Sequence, residues 1–165
     1  MKAHLAIARG GLTALIAGVI AIGSVAARAD DDNGGGKVVI STPLAPAVIG
    51  PFSQAIRVGK TVYLSGQIAI DPTTNQFMTG ASIEDQTRRV LENLAGVLTA
   101  AGLRLDDVVN TTVYLADLND FAKMNQVYAT FFKNAPPART TIQVAGILRN
   151  GKVEISAIAV DADDR

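Results

Sequence analysis

Residues 82–115 read SIEDQTRRVLENLAGVLTAAGLRLDDVVNTTVYL, a helical repeat followed by a run rich in β-branched residues. Ser82 and Asp85 resemble a capping box, which is typical of a helix start. Apolar residues then recur at helical spacing until Gly102, a residue that commonly ends helices. Valine and threonine dominate 108–115, which favours a strand. The stretch therefore predicts one helix ending at Gly102 and one strand over 108–115.

The segments on either side complete an α+β pattern. Before the helix we predict strands over 37–41, 55–58 and 61–65, the last two joined at the Gly59-Lys60 turn, and a loop over 71–80. After the strand we predict a second helix capped by Asp117 or Asn119, with one face formed by Phe121, Met124, Tyr128 and Phe131. Strands over 139–145 and 152–160 follow, joined through Asn150-Gly151. The order β-β-β-α-β-α-β-β predicts a mainly antiparallel sheet with two helices on one face.

The last predicted strand is apolar on both of its faces. Ile155, Ala157 and Ala159 point one way, whereas Ile158 and Val160 point the other. Two helices on one side of the sheet leave the second apolar face uncovered. We therefore expect a symmetric closed oligomer.

Composition excludes several classes of function. The chain has 165 residues, of which 48% are hydrophobic, with 15 basic and 15 acidic residues and no cysteine. The lack of cysteine excludes disulfides, iron–sulfur clusters, thiolate zinc sites and cysteine nucleophiles. The lack of a basic excess gives no sign of a nucleic-acid surface.

The N-terminal segment resembles a secretory signal peptide. Lys2 and Arg9 precede an apolar run, and Ala27 and Ala29 suit cleavage after residue 29. We predict a signal peptide over 1–29, a flexible acidic and glycine-rich linker over 30–37, and one domain over 38–165. The alternative is an uncleaved membrane anchor, because the apolar stretch almost reaches bilayer-spanning length. Cleavage would give a periplasmic or secreted protein without a membrane contact.

Cleavage would also remove the single histidine, His4, together with three basic residues. The remaining 136 residues carry 12 basic and 15 acidic side chains, a net charge of −3. Mechanisms that use imidazole as a base, a shuttle or a metal ligand are then unavailable. Carboxylate, guanidinium, ammonium, hydroxyl, amide and backbone groups are left to do any chemistry.

Several blocks of the domain together resemble the Rid family, the reactive intermediate deaminases. The blocks cover almost all of 38–160 and are Gly50–Ala55, Leu64–Gln67, Asp117–Phe121, Asn125, Pro137–Arg139 and Val153–Val160. The resemblance implies a chorismate-mutase-like fold and a homotrimer with clefts between its subunits. It also implies hydrolysis of enamines and imines, such as 2-aminoacrylate, to 2-oxo acids and ammonia without metal or cofactor. The partner would be a small-molecule carboxylate and not a nucleic acid.

The resemblance also assigns site residues. The carboxylate-binding arginine of the family corresponds to Arg139, and its acidic residue, which positions water or relays a proton, corresponds to Glu154. Positions that line the cleft correspond to Ser65, Gly66 and Asn125. Phe52 stands where well-studied members have a tyrosine, and Thr141 stands where many have a cysteine, so we expect both to contact the substrate.

Two questions stay open from the sequence. A trimeric module that binds a small carboxylate without turning it over is the alternative to a deaminase, although such a module would need only Arg139 and not Glu154. An endoribonuclease role fits poorly with a net charge of −3. If the last two strands pair around Asn150-Gly151, Arg139 and Glu154 lie far apart. They could then cooperate only through curvature of the sheet or across a subunit boundary.

Overall fold

A computed structural model of the chain describes residues 36–162. The predicted signal peptide over 1–29 and linker residues 30–35 lie outside the described residues, as do 163–165, so those assignments stay predictions. Within 36–162, neither helix is long and apolar enough to cross a membrane.

The elements follow the predicted order, with one small hairpin added. The strands are β1 Lys37–Ile40, β2 Ala55–Val58, β3 Thr61–Gln67, β4 Ile70–Asp71, β5 Gln76–Phe77, β6 Val108–Leu115, β7 Ala138–Gln143 and β8 Val153–Val160. The helices are α1 Ile83–Ala100 and α2 Phe121–Phe131. Short 3₁₀ turns occupy Leu105–Asp107, Leu118–Asp120 and Leu148–Asn150. One six-stranded sheet has the order β1-β2-β3-β8-β6-β7, while β4 and β5 pair separately.

Helix α1 begins as its sequence predicts. The Asp85 N–H donates to the Ser82 hydroxyl at 3.1 Å, and that hydroxyl donates to the Asp85 carboxylate at 2.8 Å. This cap satisfies one of the N–H groups that a helix start leaves unpaired. The inner face of the helix buries Leu91, Leu94 and Leu98 against the sheet. The chain then leaves the helix through Gly102 at a φ of 72°.

The predicted pairing of the last two strands is wrong. β8 lies between β3 and β6 and is antiparallel to both, whereas β7 pairs only with β6 and runs parallel to it. The reason is the crossover β6-α2-β7, since a helix between two strands returns the chain in the same direction. Asn150 closes a 3₁₀ turn instead of a hairpin, with its φ at 56°. Four of the five strand pairs are antiparallel, so the sheet is mainly antiparallel, as predicted.

Two further predictions need correction. The expected loop over 71–80 contains the β4–β5 hairpin, because the Asp71 carboxylate accepts hydrogen bonds from the Thr73 and Thr74 N–H groups and turns the chain back. Asp117 caps the 3₁₀ turn before α2 and not α2 itself. Of the predicted α2 face, Met124 and Tyr128 are buried, whereas Phe121 is 40% exposed.

The two faces of the sheet differ in how they are covered. The helix face buries Val153, Ile155 and Ala159 of β8 beneath α1 and α2. On the opposite face, which we call the open face, Val39 is 60% exposed and Tyr63 is 51% exposed. An apolar sheet face is therefore without a covering layer within one copy of residues 36–162.

Candidate functional site

Strand register places Arg139 and Glu154 on opposite faces of the sheet. Arg139 is opposite Thr111 of β6, which is opposite Ala157 of β8, so Arg139 shares the helix face with them. Glu154 precedes Ala157 by three residues, an odd number, and therefore points to the open face. Three residues along the strands and two strands across separate their Cα atoms by about 14 Å. One small substrate cannot contact both side chains of a single subunit.

Arg139 lines a cavity of about 380 Å³ between β7 and α2, which we call the Arg139 cavity. Its other walls are Asn125, Tyr128, Ala129, Phe132, Pro136 and Pro137. The guanidinium carbon lies 4.6 Å from the centroid of the Tyr128 ring and 5.7 Å from that of Phe121. The two prolines fix the backbone that enters β7. Arg139 is thus held by cation–π contacts and by a stiff approach segment.

Tyr128 serves as the platform for that guanidinium. Its hydroxyl lies 2.7 Å from the buried Thr111 hydroxyl. Burial raises the pKa of Tyr128, while the Thr111 hydrogen bond and the positive charge of Arg139 oppose the rise. None of the ion pairs within residues 36–162 involves Arg139. The guanidinium keeps its hydrogen-bonding edge for an external anion, such as a carboxylate.

Glu154 lines a second cavity, of about 350 Å³, on the open-face side, which we call the Glu154 cavity. Its lining also includes Phe52, Ser65, Gly66 and Gln67. The register of β3 against β8 shifts between Leu64 and Gln67, so the β3 backbone bulges beside the carboxylate. A Cβ at position 66 would overlap the Oε1 atom of Glu154, so any residue larger than glycine there would displace the carboxyl group. Burial alone raises the pKa of Glu154.

A buried glutamine shapes the wall of this cavity. The Gln54 amide donates to the Ala45 and Pro46 carbonyls at 3.2 and 2.8 Å and accepts from the Thr42 N–H at 2.6 Å. These bonds fold segment 42–46 over the cavity. The backbone carbonyl of Gln54 also accepts a hydrogen bond from the Ser65 N–H at 3.0 Å. Gln54 therefore ties the loop to the strand that carries Ser65.

The sequence-predicted site residues divide between the two cavities. Phe52, Ser65, Gly66 and Glu154 line the Glu154 cavity, and Asn125 and Arg139 line the Arg139 cavity. Thr141 lies on the same face of β7 as Arg139 but lines neither cavity. The sequence analysis placed Phe121 and Tyr128 on one face of the second helix but did not connect that face with Arg139. Phe121 and Tyr128 lie two helical turns apart on α2, and this spacing indicates that both rings can contact the same side chain, here that of Arg139.

Comparison with known proteins places the chain in a family. The family model described as Endoribonuclease L-PSP matches residues 42–161. A Yersinia pestis protein of the conserved Rid family has a solved structure that is 42% identical. It superposes with a TM-score of 0.74 over 76% of this chain and 99% of its own. The chain belongs to the Rid family.

Other members of the Rid family carry functional descriptions. A mouse 2-iminobutanoate/2-iminopropanoate deaminase is 49% identical over 122 residues, which cover 74% of this chain and 90% of the mouse protein. Escherichia coli TdcF, solved with bound serine, is 42% identical with a TM-score of 0.71 and covers 74% of this chain and 98% of its own. The matches span the described Rid domain almost completely and confirm the predicted family and fold.

The described part of the Rid domain contains no cluster of side chains that could bind a metal ion. Within residues 36–162, no three His, Cys, Asp or Glu side chains lie close enough together to hold an ion. The ionisable groups of the two cavities are Arg139, Tyr128 and Glu154. The sequence-based expectation that no cofactor is needed stays a prediction.

Proposed function

We propose that this Rid domain hydrolyses 2-imino acids and their enamine tautomers to 2-oxo acids and ammonia. The observation that carries the proposal is the Glu154 carboxyl group, packed on Gly66 in a cavity that raises its pKa. A carboxyl group with a raised pKa is a stronger base when it is ionised, and it can return the proton it has taken. The 49% identity to a mouse imine deaminase supports the same reaction.

The reaction needs no redox step. Water adds to the C2 atom of the imine, and Glu154 takes the proton that the water loses. Glu154 gives this proton to the imine nitrogen as the double bond between nitrogen and carbon becomes a single bond. Glu154 then moves the proton of the C2 hydroxyl to the same nitrogen, the C–N bond breaks, ammonia leaves with the bonding electrons, and the C2 oxygen becomes the oxo group. Since the imine carbon is already electrophilic, orientation and one placed base carry the catalysis.

Arg139 would hold the substrate carboxylate. Its planar guanidinium can donate two parallel hydrogen bonds to the two oxygens, which fixes the plane of the imine. Asn125 lies in the same cavity and offers an amide to the same end of the substrate. In this assignment Arg139 binds and orients, while Glu154 moves the protons. Phe52, Ser65 and Gly66 surround the reacting carbon.

The complete site would form between two subunits of a homotrimer. Arg139 and Glu154 lie on opposite faces of one sheet, but β7 is an edge strand, so Arg139 can reach a neighbouring copy. The apolar open face, with Val39 and Tyr63 exposed, supports assembly because it needs a covering layer. Three copies around one axis would close this face and supply three equivalent sites.

One assay separates this function from its alternatives. Imines generated in situ by an amino-acid oxidase are followed for oxo-acid and ammonia release, with and without the purified chain. The expected result is faster release, abolished in Arg139→Ala. Product binding without acceleration would favour the carboxylate-binding module. Cleavage of single-stranded RNA by the parent, equal in Arg139→Ala, would favour the ribonuclease activity named in the family description.

We also propose that the protein works outside the cytoplasm. The basic and apolar pattern of residues 1–29 supports export, with cleavage after Ala29. The mature chain should then begin at Asp30. Mass spectrometry of the cell envelope fraction tests this, and recovery of the chain with residues 1–29 attached would contradict cleavage.

A further inference from the structure

Two buried hydroxyl groups beside the Arg139 guanidinium have only each other as hydrogen-bond partners. Thr111 on β6 is fully buried and Tyr128 on α2 is 4% exposed, and their hydroxyl oxygens lie 2.7 Å apart. Neither hydroxyl makes a second hydrogen bond within the described Rid domain. Their neighbours are apolar, since Ala157 is opposite Thr111 on β8 and the centroid of the Phe132 ring lies 4.6 Å from that of Tyr128. One polar pair thus lies in an apolar part of the core.

The stability of the fold gives no reason for this pair. A buried hydroxyl loses its hydrogen bonds to water, and a neutral bond inside the protein compensates for little more than that loss. The pair is neutral at pH 7, because burial raises the pKa of Tyr128 and its hydroxyl stays protonated. Valine and phenylalanine have nearly the shapes of threonine and tyrosine without the hydroxyl groups. Replacing both partners of a buried hydrogen bond by apolar groups of the same shape is nearly neutral or stabilising.

The position of the pair connects it to Arg139. Thr111 and Arg139 are direct partners in the parallel β6–β7 pair, and the guanidinium carbon lies 4.6 Å from the centroid of the Tyr128 ring. A guanidinium stacks on an aromatic face, so its plane follows the tilt of the ring. The last torsion of a tyrosine side chain is soft, but the bond to Thr111 fixes the far end of the ring. Thr111 is itself stiff, since it is β-branched and lies on an inner strand.

From these contacts we infer that Thr111 and Tyr128 are positioning residues that orient the Arg139 guanidinium for the substrate carboxylate. The inference rests on the proposed function and deepens it by naming the groups that prepare two-point binding. Thr111 does not line the Arg139 cavity, so it acts through Tyr128 and not on the substrate. All three residues belong to one subunit, so each copy contains the whole arrangement. Loss of the hydroxyl pair should raise KM about three- to tenfold and change kcat less than about twofold, because Arg139 holds the carboxylate before and during the reaction.

Three variants separate orientation of Arg139 from stability of the fold. Tyr128→Phe and Thr111→Val each leave one buried hydroxyl without its partner, so both should unfold at lower urea concentration than the parent. The double variant Thr111→Val/Tyr128→Phe removes both hydroxyls and should unfold close to the parent. KM is measured for the imine made in situ from alanine, whose concentration is set by the amount of oxidase. It should rise in all three variants, because each lacks the hydrogen bond. A role in stability alone would return KM to the parent value in the double variant.

Two controls show whether the effect passes through the guanidinium. Thr87 is fully buried on α1, donates to the Ile83 carbonyl at 2.7 Å and lines neither cavity. Thr87→Val removes a hydroxyl from an equally buried position and should leave KM unchanged. Arg139→Lys provides a background in which the cation has no plane to orient. Adding the double change to that background should alter KM by less than about twofold.

The outcomes distinguish this inference from the proposed function. A parent-like KM in the double variant would overturn the orienting role and leave the deaminase intact. An equal rise of KM in Thr87→Val, or a full effect in the Arg139→Lys background, would overturn it in the same way. If the parent turns over no imine, the proposed function fails, and calorimetric binding of pyruvate then tests the pair. Weaker binding by the double variant than by the parent would preserve the orienting role, whereas equal binding, or none by either, would overturn it as well.

Discussion

Arg139 carries the most direct prediction at the scale of single residues. Arg139→Lys keeps the positive charge but loses the planar fork, so one of two charged hydrogen bonds to the substrate is lost. Such a bond contributes about 1.5 to 3 kcal/mol, which corresponds to roughly ten- to a hundredfold in kcat/KM. Arg139→Ala should cost more. Steady-state kinetics measure both, with Arg88→Lys on the exposed face of α1 as control. Parent-like turnover by Arg139→Lys would contradict two-point binding.

Replacing Glu154 by glutamine should lower the activity and raise the stability of the folded chain. Its pKa is raised by burial above the ordinary value of 4.5, so the unfolded chain ionises first as the pH rises. Ionisation then favours the unfolded state, and the folded state loses stability from about pH 4.5 up to the raised pKa. Glu154→Gln removes this penalty while it removes the base. We expect kcat to fall by roughly a hundredfold or more.

Thermal unfolding at two pH values checks the stability side of this prediction. The gain in Tm of Glu154→Gln over the parent should be larger at pH 7 than at pH 4, where the carboxyl group is protonated in both states. A gain confined to pH 4 would mean that the Glu154 carboxylate is stabilised in the fold and not penalised by it.

At the scale of elements, α1 holds the segment between β3 and β4 in place through Asn93. The Asn93 amide is buried and donates to the Ile68 and Ile70 carbonyls at 3.3 and 2.9 Å. Asn93→Ala removes both bonds inside the protein, and we expect unfolding to become easier by about 1 to 3 kcal/mol. Since Ile68 and Ile70 line the Glu154 cavity, KM should rise as well.

Urea denaturation of Asn93→Ala and of a neighbouring variant tests this role. Glu92 lies beside Asn93 on the exposed side of α1 and pairs with Arg89 at 3.3 Å. Glu92→Ala should cost less than about 1 kcal/mol, because exposed ion pairs contribute little. Equal losses in the two variants would show that Asn93 does not anchor the segment.

At the scale of the whole molecule, a shared site predicts complementation between two inactive proteins. Arg139→Ala and Glu154→Gln subunits are unfolded together and refolded as a mixture. In an equal mixture, each subunit boundary has a chance of about one half of an intact Arg139 on one side and about one half of an intact Glu154 on the other. About a quarter of the boundaries are then complete, so about a quarter of the parent activity should return. A site within one subunit would return none, because each subunit keeps its defect.

Two measurements accompany the mixing experiment. Each variant refolded alone gives the baseline, and light scattering at micromolar concentration gives the mass of the assembly. A trimeric mass with no recovered activity would reject the shared site, whereas a monomeric mass would reject the oligomer from which it follows.

The sequence by itself determined the local structure. The Ser82 and Asp85 cap and the apolar spacing that follows fix α1, because both act within a few residues of the chain. Alternation along 153–160 predicted which β8 residues share a face, and the structure confirms it. The same alternation predicted an apolar open face. The residue types at 139 and 154 also fixed the available chemistry, since a guanidinium and a carboxyl group act through their own donors and acceptors.

Only the tertiary structure decided which strands are neighbours and where the site residues lie. Asn150-Gly151 is compatible with a hairpin, yet β6 lies between β7 and β8, because the crossover through α2 brings β7 back parallel to β6. That placement puts Arg139 above Tyr128 and on the face opposite Glu154. Such pairings join residues far apart in the chain and depend on how all layers pack together. The hydrophobic pattern of a segment indicates whether it is a helix or a strand and which side chains share a face, but it does not indicate which strand lies beside it.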